Sequence, residues 1–248
     1  QLYEQACPSL LYTAPHCVNP QRKRAMDKIK IGFVSRFFTA HSVAKSFQGL
    51  LSLLPREKFT VSVIFVPPVS GDEVTKTFLE FADVTIVLSG GLSDARERIA
   101  REELDILFYT DIGMEPFTYF LAFSRLAPVQ CVGGGHPATT GIRNLDYYVS
   151  GEDLEPEGAE DHYSERLVRL KGLPVYYYRP EQSPSSKSRG AFGLEEGRTI
   201  YLCPQGLFKV HPDFDEIVGE LLQADPNGLV VYVEGNVQHW TELLMRRF

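Results

Sequence analysis

Three loop segments carry side chains that could bind an anionic ligand. His41 and Ser42 stand at the predicted start of a helix, where free backbone N–H groups and the helix dipole favour anions. A second loop, residues 133–141, has four glycines, two threonines and His136 beyond an apolar run, a composition that lets the backbone approach a ligand closely. The third holds Lys209, whose ammonium group is a point charge suited to phosphate. If these residues are functional, the site they form would suit an anionic ligand.

Each loop also has a purely structural interpretation. Thr39 or Ser42 could be the N-cap of a helix, with His41 on the surface. The glycine-rich loop could be a crossover with many turns, and Lys209 could simply be solvated. Asp111, which follows the fourth predicted strand, is a further polar residue at the same sheet edge. Position alone does not decide between the two interpretations.

The sequence lacks the motifs of several common enzyme classes. It has no GxGxxG or Walker A pattern, so neither dinucleotide nor ATP binding follows. It has no HExxH, no CxxC pair and no nucleophile elbow. We therefore expect a site that works without a metal ion and without a cofactor.

The pattern along the chain predicts an α/β fold. Apolar runs of strand length occur at 29–35, 60–66, 84–88, 106–110 and 129–132. They are mostly continuous, as parallel strands buried on both faces require. Apolar residues at helical spacing separate them near 43–54, 92–103 and 117–123, which predicts right-handed βαβ units. His41, Asp111 and His136 each follow a predicted strand, so we expect all three at the carboxyl edge of one sheet.

Four segments are expected along the chain. Residues 1–27 form an irregular lead-in with a basic cluster at 22–24, and residues 28–180 form a complete Rossmann-like domain. Residues 181–197 begin with a polar, serine-rich stretch and are predicted to be a linker. Residues 198–248 restart the pattern with strands at 199–203 and 228–233, a helix at 214–222 and another near Trp240. This last segment is the beginning of a second α/β unit.

Composition excludes other classes of protein. Of the 248 residues, 44% are hydrophobic and 23% are charged, which is typical of globular chains. A net charge of −7 argues against a nonspecific nucleic-acid or anionic-membrane binder, and no apolar run has the roughly 20 residues of a membrane span. The four cysteines are far apart and match no metal-ligand spacing. We expect reduced cysteines and a cytoplasmic or nuclear location.

Several motifs, taken in order, carry a resemblance to a known family. They are KIGFVS at 30–35 with His41, APVQ at 127–130, GHPATTG at 135–141 and CPQGLFKVHPDFD at 203–215. Together they resemble the catalytic region of the O-linked N-acetylglucosamine transferase/SPINDLY family, and the similarity covers most of the chain. In that family a tetratricopeptide array usually precedes the domain.

The resemblance implies a GT-B glycosyltransferase with two Rossmann-like halves and an inverting, metal-independent reaction. By it, His41 is the active-site histidine near the sugar and the acceptor, and Lys209 neutralises the diphosphate leaving group. Gln205 would line the nucleotide, and Asp111 is a further candidate for substrate binding. The glycine-rich loop would face the sugar through residues that include Gly135, His136, Pro137, Thr139 and Thr140.

The resulting hypothesis is transfer of N-acetylglucosamine from UDP-N-acetylglucosamine to Ser or Thr of proteins. The partners would be a nucleotide-sugar donor and protein or peptide acceptors, with no nucleic acid and no membrane. The alternatives are SPINDLY-like O-fucosyl transfer from GDP-fucose, N-glucosyl transfer to asparagine, or a glycosyltransferase-like module that binds without turnover. Since the second half holds only its first strands, we expect this chain alone to be inactive.

Overall fold

A computed structural model of the chain describes residues 2–18, 27–179 and 187–248. The chain divides into two compact units, Gln1–Pro180 and Glu181–Phe248. The division falls where the predicted linker begins. Residues 181–186 of that linker, and the basic cluster at 22–24, lie outside the described residues.

Strands and helices alternate through most of the first unit. Its strands are β1 (Ile29–Ser35), β2 (Phe59–Phe65), β3 (Val84–Val87), β4 (Ile106–Tyr109), β5 (Val129–Val132), β6 (Tyr147–Gly151) and β7 (Arg166–Leu170). Its helices are α1 (Leu2–Ala6), α2 (Pro15–Val18), α3 (Ser42–Leu53), α4 (Glu73–Phe81), α5 (Leu92–Ala100) and α6 (Pro116–Leu121). The second unit contains β8 (Thr199–Cys203), α7 (Phe214–Ala224), β9 (Gly228–Tyr232) and α8 (Gln238–Met245).

The seven strands of the first unit form one parallel sheet in the order β3-β2-β1-β4-β5-β6-β7. The chain moves outward from β1 to β3, then returns to β4 beside β1 and moves outward in the other direction. The order of the strands therefore switches between β1 and β4. In open α/β sheets this crevice, at the carboxyl ends of the strands, is where ligands bind.

Both faces of this sheet are covered, which explains the continuous apolar runs. Phe33 of β1 and Phe108 of β4 stack with ring centroids 5.6 Å apart and pack with Phe47 of α3 in one buried cluster. The intervening residues, such as Val34 and Leu107, belong to a second cluster on the opposite face. Successive strand residues point to opposite faces, so Ile31–Ser35 of β1 and Leu107–Tyr109 of β4 are buried on both faces of the sheet. The predicted parallel α/β sheet is confirmed.

Beyond the N-terminal lead-in, two strands and one helix of the first unit's described residues were not predicted. β7 lies at the sheet edge and reads Arg-Leu-Val-Arg-Leu with partly exposed side chains, so it has no continuous apolar run. β6 contains two tyrosines and a serine and is equally weak as a pattern. α4 carries Val74, Phe78 and Phe81 at helical spacing after Asp72. The signal for α4 is therefore present in the local sequence, although the sequence analysis did not predict this helix.

The predicted irregular lead-in is wrong for its described part, which includes two short helices and packs on the first unit. The Arg96 guanidinium donates to the carbonyl oxygens of Ser9 (2.8 Å) and Leu10 (3.0 Å). The Ala14 N–H donates to the carbonyl oxygen of Arg125 at 2.8 Å. Because these contacts join residues far apart in sequence, no local pattern could show them.

The second unit has a small core. β8 and β9 pair in parallel, and the buried cluster consists of Leu207, Val210 and Leu244, with Tyr232 and Trp240 packed against it. Isolated two-stranded sheets are marginally stable in water. Apolar burial therefore stabilises the folded form of this unit much less than that of the first unit.

Candidate active site

The loops after β1, β4 and β5 meet at the point where the strand order switches. The Ser35 hydroxyl and the Arg36 N–H both donate to Asp111 Oδ2, at 2.9 and 2.8 Å. A Cβ atom on Gly135 would lie 2.4 Å from the Thr110 carbonyl oxygen. Only glycine, which has no Cβ, allows the β5 loop to come so near the β4 loop. Three loops that are far apart in sequence thus share one edge of the sheet.

Asp111 lies inside the protein and not on the wall of a pocket. Its exposed fraction is 0%, and burial raises its pKa to about 6 despite its hydrogen bonds. The sequence analysis treated Asp111 as a substrate contact, but no part of this side chain reaches the surface. Its carboxylate instead joins the β1 loop to the β4 loop. The Arg36 guanidinium and the Glu115 carboxylate, 3.5 Å apart, form a second link between the same loops.

His41 is half-buried and is the N-cap of α3, a role that the structural interpretation gave to Thr39 or Ser42. Its Nδ1 accepts a hydrogen bond from the Val43 N–H at 3.2 Å, and its ring stacks on Phe37 with centroids 4.4 Å apart. Burial lowers the pKa of His41 below its ordinary value. Because Nδ1 is the acceptor, the neutral ring carries its proton on Nε2. His41 therefore offers an N–H donor at this edge of the sheet.

Asp72 holds the loop that carries His41. One oxygen, Oδ1, accepts from the Thr75 N–H at 2.8 Å and caps α4, while Oδ2 accepts from the Ala40 N–H at 2.9 Å and from the Thr39 hydroxyl. These hydrogen bonds, led by that from Thr39, hold the pKa of Asp72 well below its usual range. Sequence reasoning missed Asp72. Its position before α4 signals a helix cap, but nothing local shows that it also reaches the β1 loop.

The threonines of the glycine-rich loop bond to a buried acid. Glu165 is 4% exposed, and its carboxylate accepts from the Thr139 hydroxyl at 2.8 Å, from the Thr140 N–H at 2.9 Å and from the Thr140 hydroxyl. The Ser164 hydroxyl lies 2.8 Å from the Thr139 hydroxyl and accepts from the Gly141 N–H at 3.0 Å. Both predicted substrate contacts therefore use their hydroxyls to anchor the loop. Glu165 was not found from sequence, because it lies about 25 residues further along the chain.

The first half of the same loop is more open. His136 and Pro137 are exposed, and the His136 carbonyl oxygen accepts a hydrogen bond from the Tyr148 hydroxyl at 2.7 Å. Gly113 of the β4 loop has φ +89°, and a Cβ there would lie 2.9 Å from the Cβ of His136. The structure thus brings His136 against the loop that contains Asp111, while leaving its ring accessible.

Gln205 and Lys209 belong to the second unit. Gln205 is exposed, and its side-chain oxygen accepts from the Gly206 N–H at 3.1 Å. Lys209 ends the short 3₁₀ turn Leu207–Lys209 and is exposed, with Nζ 5.7 Å from the ring centroid of Phe208. No ion pair involves Lys209 within the described part of the chain. Its ammonium group is therefore available to an anion.

The residues that the structure describes contain neither a metal centre nor a membrane span. Among them, no group of three or more His, Cys, Asp or Glu side chains could hold a metal ion. The helices of that part of the chain are all too short or too polar to cross a bilayer.

A parallel sheet with polar loops at its switch point defines a Rossmann-like α/β protein. A solved mutant of the O-GlcNAc transferase of Thermobaculum terrenum has the same fold, with a TM-score of 0.79 at 23% identity. The match covers 99% of this chain and 46% of that one, and it confirms the expected GT-B class. Residues 6–174 match the model of Glycosyl transferase family 41, and the chain belongs to that family.

Two curated relatives extend the comparison. One is the Arabidopsis thaliana protein called probable UDP-N-acetylglucosamine--peptide N-acetylglucosaminyltransferase SEC, 26% identical over 223 residues, which are 87% of this chain and 23% of that protein. Another is the UDP-glucose:protein N-beta-glucosyltransferase of Actinobacillus pleuropneumoniae serotype 5b, 29% identical over 144 residues, 57% of this chain and 22% of the relative. The chain spans less than a quarter of the length of either relative.

Proposed function

We propose that this chain is part of a glycosyltransferase that moves N-acetylglucosamine from UDP-N-acetylglucosamine to Ser or Thr hydroxyls of proteins. The observation that carries the proposal is the family match over residues 6–174, which includes all three loops at the sheet edge. The activity named for the Arabidopsis relative supports the choice of donor and the protein acceptor.

The reaction breaks the bond between the sugar and a diphosphate, so negative charge grows on the leaving group. A positive group placed beside that charge stabilises the transition state. In the second unit Lys209 is exposed, and no acid neutralises it within the described residues. We assign to Lys209 the neutralisation of the diphosphate, and to Gln205, four residues earlier, contact with the nucleotide.

His41 supplies a hydrogen-bond donor to the same reaction. Its Nδ1 accepts from the Val43 N–H, so the proton of the neutral ring is on Nε2. A protonated Nε2 cannot take a proton from the acceptor hydroxyl, but it can donate to an oxygen of the sugar or of the acceptor. We therefore give His41 the role of orienting a substrate oxygen. Thr139, Thr140 and Asp111 keep the loops around it in place.

The experiment measures donor binding and transfer separately. Broadening of the ³¹P resonances of UDP-N-acetylglucosamine by this chain reports weak binding of the diphosphate. We expect Lys209→Ala to abolish the broadening and Lys171→Ala, a change of another exposed lysine, to leave it intact. In any form of the protein that turns over, we expect Lys209→Ala to reduce kcat by about 10²–10³, as loss of one transition-state donor does.

Transfer is followed as the gain of one N-acetylhexosamine by a Ser/Thr peptide. We expect none from this chain alone, because the three-residue buried cluster of its second unit is a poor support for a nucleotide pocket. Absence of any ³¹P broadening would contradict donor binding. Preference for GDP-fucose would indicate O-fucosyl transfer. Preference for UDP-glucose would indicate N-glucosyl transfer, the activity named for the Actinobacillus relative.

Binding without transfer in every form of the protein would leave a glycosyltransferase-like binding module.

We also propose a cytoplasmic or nuclear location, with neither nucleic acid nor membrane as a partner. The net charge of −7 supports this, since such partners attract basic surfaces.

A further inference from the structure

A cavity of about 450 Å³ opens at the carboxyl ends of β5 and β6. The glycine-rich loop forms one side of it, from Gly134 to Pro137, and the end of β6 with the following segment forms another. It lies entirely within the first unit. Its polar side chains are His136 of the glycine-rich loop, Tyr148 and Ser150 of β6, and Glu155 and Tyr163 of the segment after β6; of these only His136 was predicted from sequence.

Glu155 is the acid of this cavity and is held in one orientation. Its Oε1 accepts from the Ser150 hydroxyl at 2.6 Å and from the Tyr163 hydroxyl at 2.8 Å. Both hydroxyl groups therefore donate their hydrogen bonds to this one oxygen. Among the described residues, Glu155 Oε2 has no hydrogen-bond donor and Glu155 has no ion pair. The carboxylate therefore has an acceptor left for a ligand.

The charge of the cavity is negative. Burial together with the charges of Glu155 and Glu165 raises the pKa of Tyr148, and burial together with Glu155 raises that of Tyr163. Both phenols are thus neutral donors at physiological pH. The residues that line the cavity include no lysine or arginine. A cation entering it would meet an acid that no other described cation neutralises.

The remaining walls suit an aliphatic chain. The rings of Tyr148 and Tyr163 lie 4.6 Å apart at 45°, and Pro137, Leu154 and Pro174 add apolar surface. A basic side chain buries its methylene stem against such surface while its charged head stays with a polar group. The combination of an apolar wall and one oriented carboxylate fits this kind of ligand.

We propose that this cavity binds the side chain of an arginine or lysine of the polypeptide that the protein modifies. The Gly135–Pro137 segment joins the cavity to the loops at the sheet edge, so a bound basic residue would hold the acceptor beside the proposed site. The identity of the polypeptide as an acceptor rests on the proposed function. Binding of a cationic side chain in this cavity does not.

The test compares two probes of similar shape, Nα-acetyl-arginine methylamide and Nα-acetyl-citrulline methylamide. Each is titrated into the ¹⁵N-labelled chain while the amide resonances of Gly135, Val149 and Leu154 are followed. Because citrulline lacks the charge, we expect the arginine probe to bind at least about tenfold more tightly, a difference in affinity that one charge contact can give. Added salt should reduce the preference.

Two variants locate the charge. Glu155→Gln should bind both probes equally, whereas Glu157→Gln, a change of an exposed acid in the same segment, should keep the preference. Leu154→Lys places a cation at the cavity from a residue that is 56% exposed, and it should also abolish the preference. If Glu155→Gln fails to fold, Leu154→Lys still tests whether the negative charge of the cavity selects the arginine probe.

Equal affinity for the two probes, no binding of either probe, or a preference that survives in Leu154→Lys would overturn the proposal. None of these readouts involves a nucleotide sugar, so such a failure leaves the proposed function standing. Conversely, selective arginine binding by a protein that shows no donor binding would retain the cavity and remove the transferase assignment.

Discussion

At the scale of single residues, the candidate site depends on buried acids whose carboxylates accept hydrogen bonds from the protein's own loops. Asp111 accepts hydrogen bonds from the β1 loop, and Glu165 accepts them from the threonines of the glycine-rich loop. An acid that is buried and hydrogen-bonded in this way orders a loop, but it is hidden from a ligand. Residue type and sequence position therefore predicted which loops lie at this sheet edge, but not that these side chains form hydrogen bonds within the protein.

Asp111 gives a pH-dependent prediction. Burial raises its pKa from 3.8 to about 6 in the folded protein, which corresponds to roughly 3 kcal/mol. The protonated form is favoured by folding, so this contribution to the free energy of unfolding is full below about pH 3.8 and is lost as the pH rises through about 6. We expect Asp111→Asn to gain stability relative to the natural chain by roughly 3 kcal/mol between pH 4 and pH 7.

Urea unfolding at several pH values, followed by circular dichroism, measures this difference. Asp153→Asn, a change of an exposed acid, is the control and should differ from the natural chain by a constant amount. A constant difference for Asp111→Asn as well would show that ionisation of Asp111 does not oppose folding.

At the scale of elements, α3 links stability to the candidate active site. His41 caps this helix through Nδ1, and the same ring stacks on Phe37. A histidine treated from sequence as a loop residue at a ligand edge would contribute little to stability. As an N-cap it contributes, because its nitrogen satisfies one of the free N–H groups of the first turn.

We expect His41→Ala to lower the free energy of unfolding by about 1 kcal/mol, the usual effect of losing an N-cap. His41→Asn should recover most of that loss, since asparagine is a good N-cap, yet it lacks Nε2 and should remain defective in any catalytic assay. Urea denaturation of the three proteins gives the comparison. Unchanged stability of His41→Ala would argue that the contact with Val43 contributes nothing.

At the scale of the whole molecule, the two units differ in how much they bury. The first unit has two large apolar clusters, one on each face of a seven-stranded sheet. In its described residues, the second unit has two strands and a buried apolar cluster of three residues. Since apolar burial is the main favourable contribution to folding, we expect the two units to differ in stability.

The single tryptophan reports on this difference. Trp240 lies in α8 of the second unit, whereas most of the circular dichroism arises from the larger first unit. We expect the fluorescence of Trp240 to change at a lower urea concentration than the far-ultraviolet circular dichroism. Coincident transitions would mean that the chain unfolds as one cooperative body.

The sequence by itself determined the α/β class of the first unit and its strands β1 to β5. Continuous apolar runs separated by helical spacing indicate parallel strands buried on both faces. Because parallel strands all end at the same edge of a sheet, the loops after β1, β4 and β5 lie at one edge. The order of the motifs around His41, Gly135 and Lys209 also indicated the family. These signals are local or repeated, so they can be read along the chain.

Only the tertiary structure decided what the side chains at that edge do. Thr139 and Thr140 form hydrogen bonds with Glu165, and Asp111 is buried between the loops that it joins. β7 is an edge strand whose two arginines interrupt the apolar run that would have predicted it. Each depends on a contact between residues distant in sequence. The sequence shows which residues are able to be buried or to form hydrogen bonds. Only the fold shows which residues contact each other.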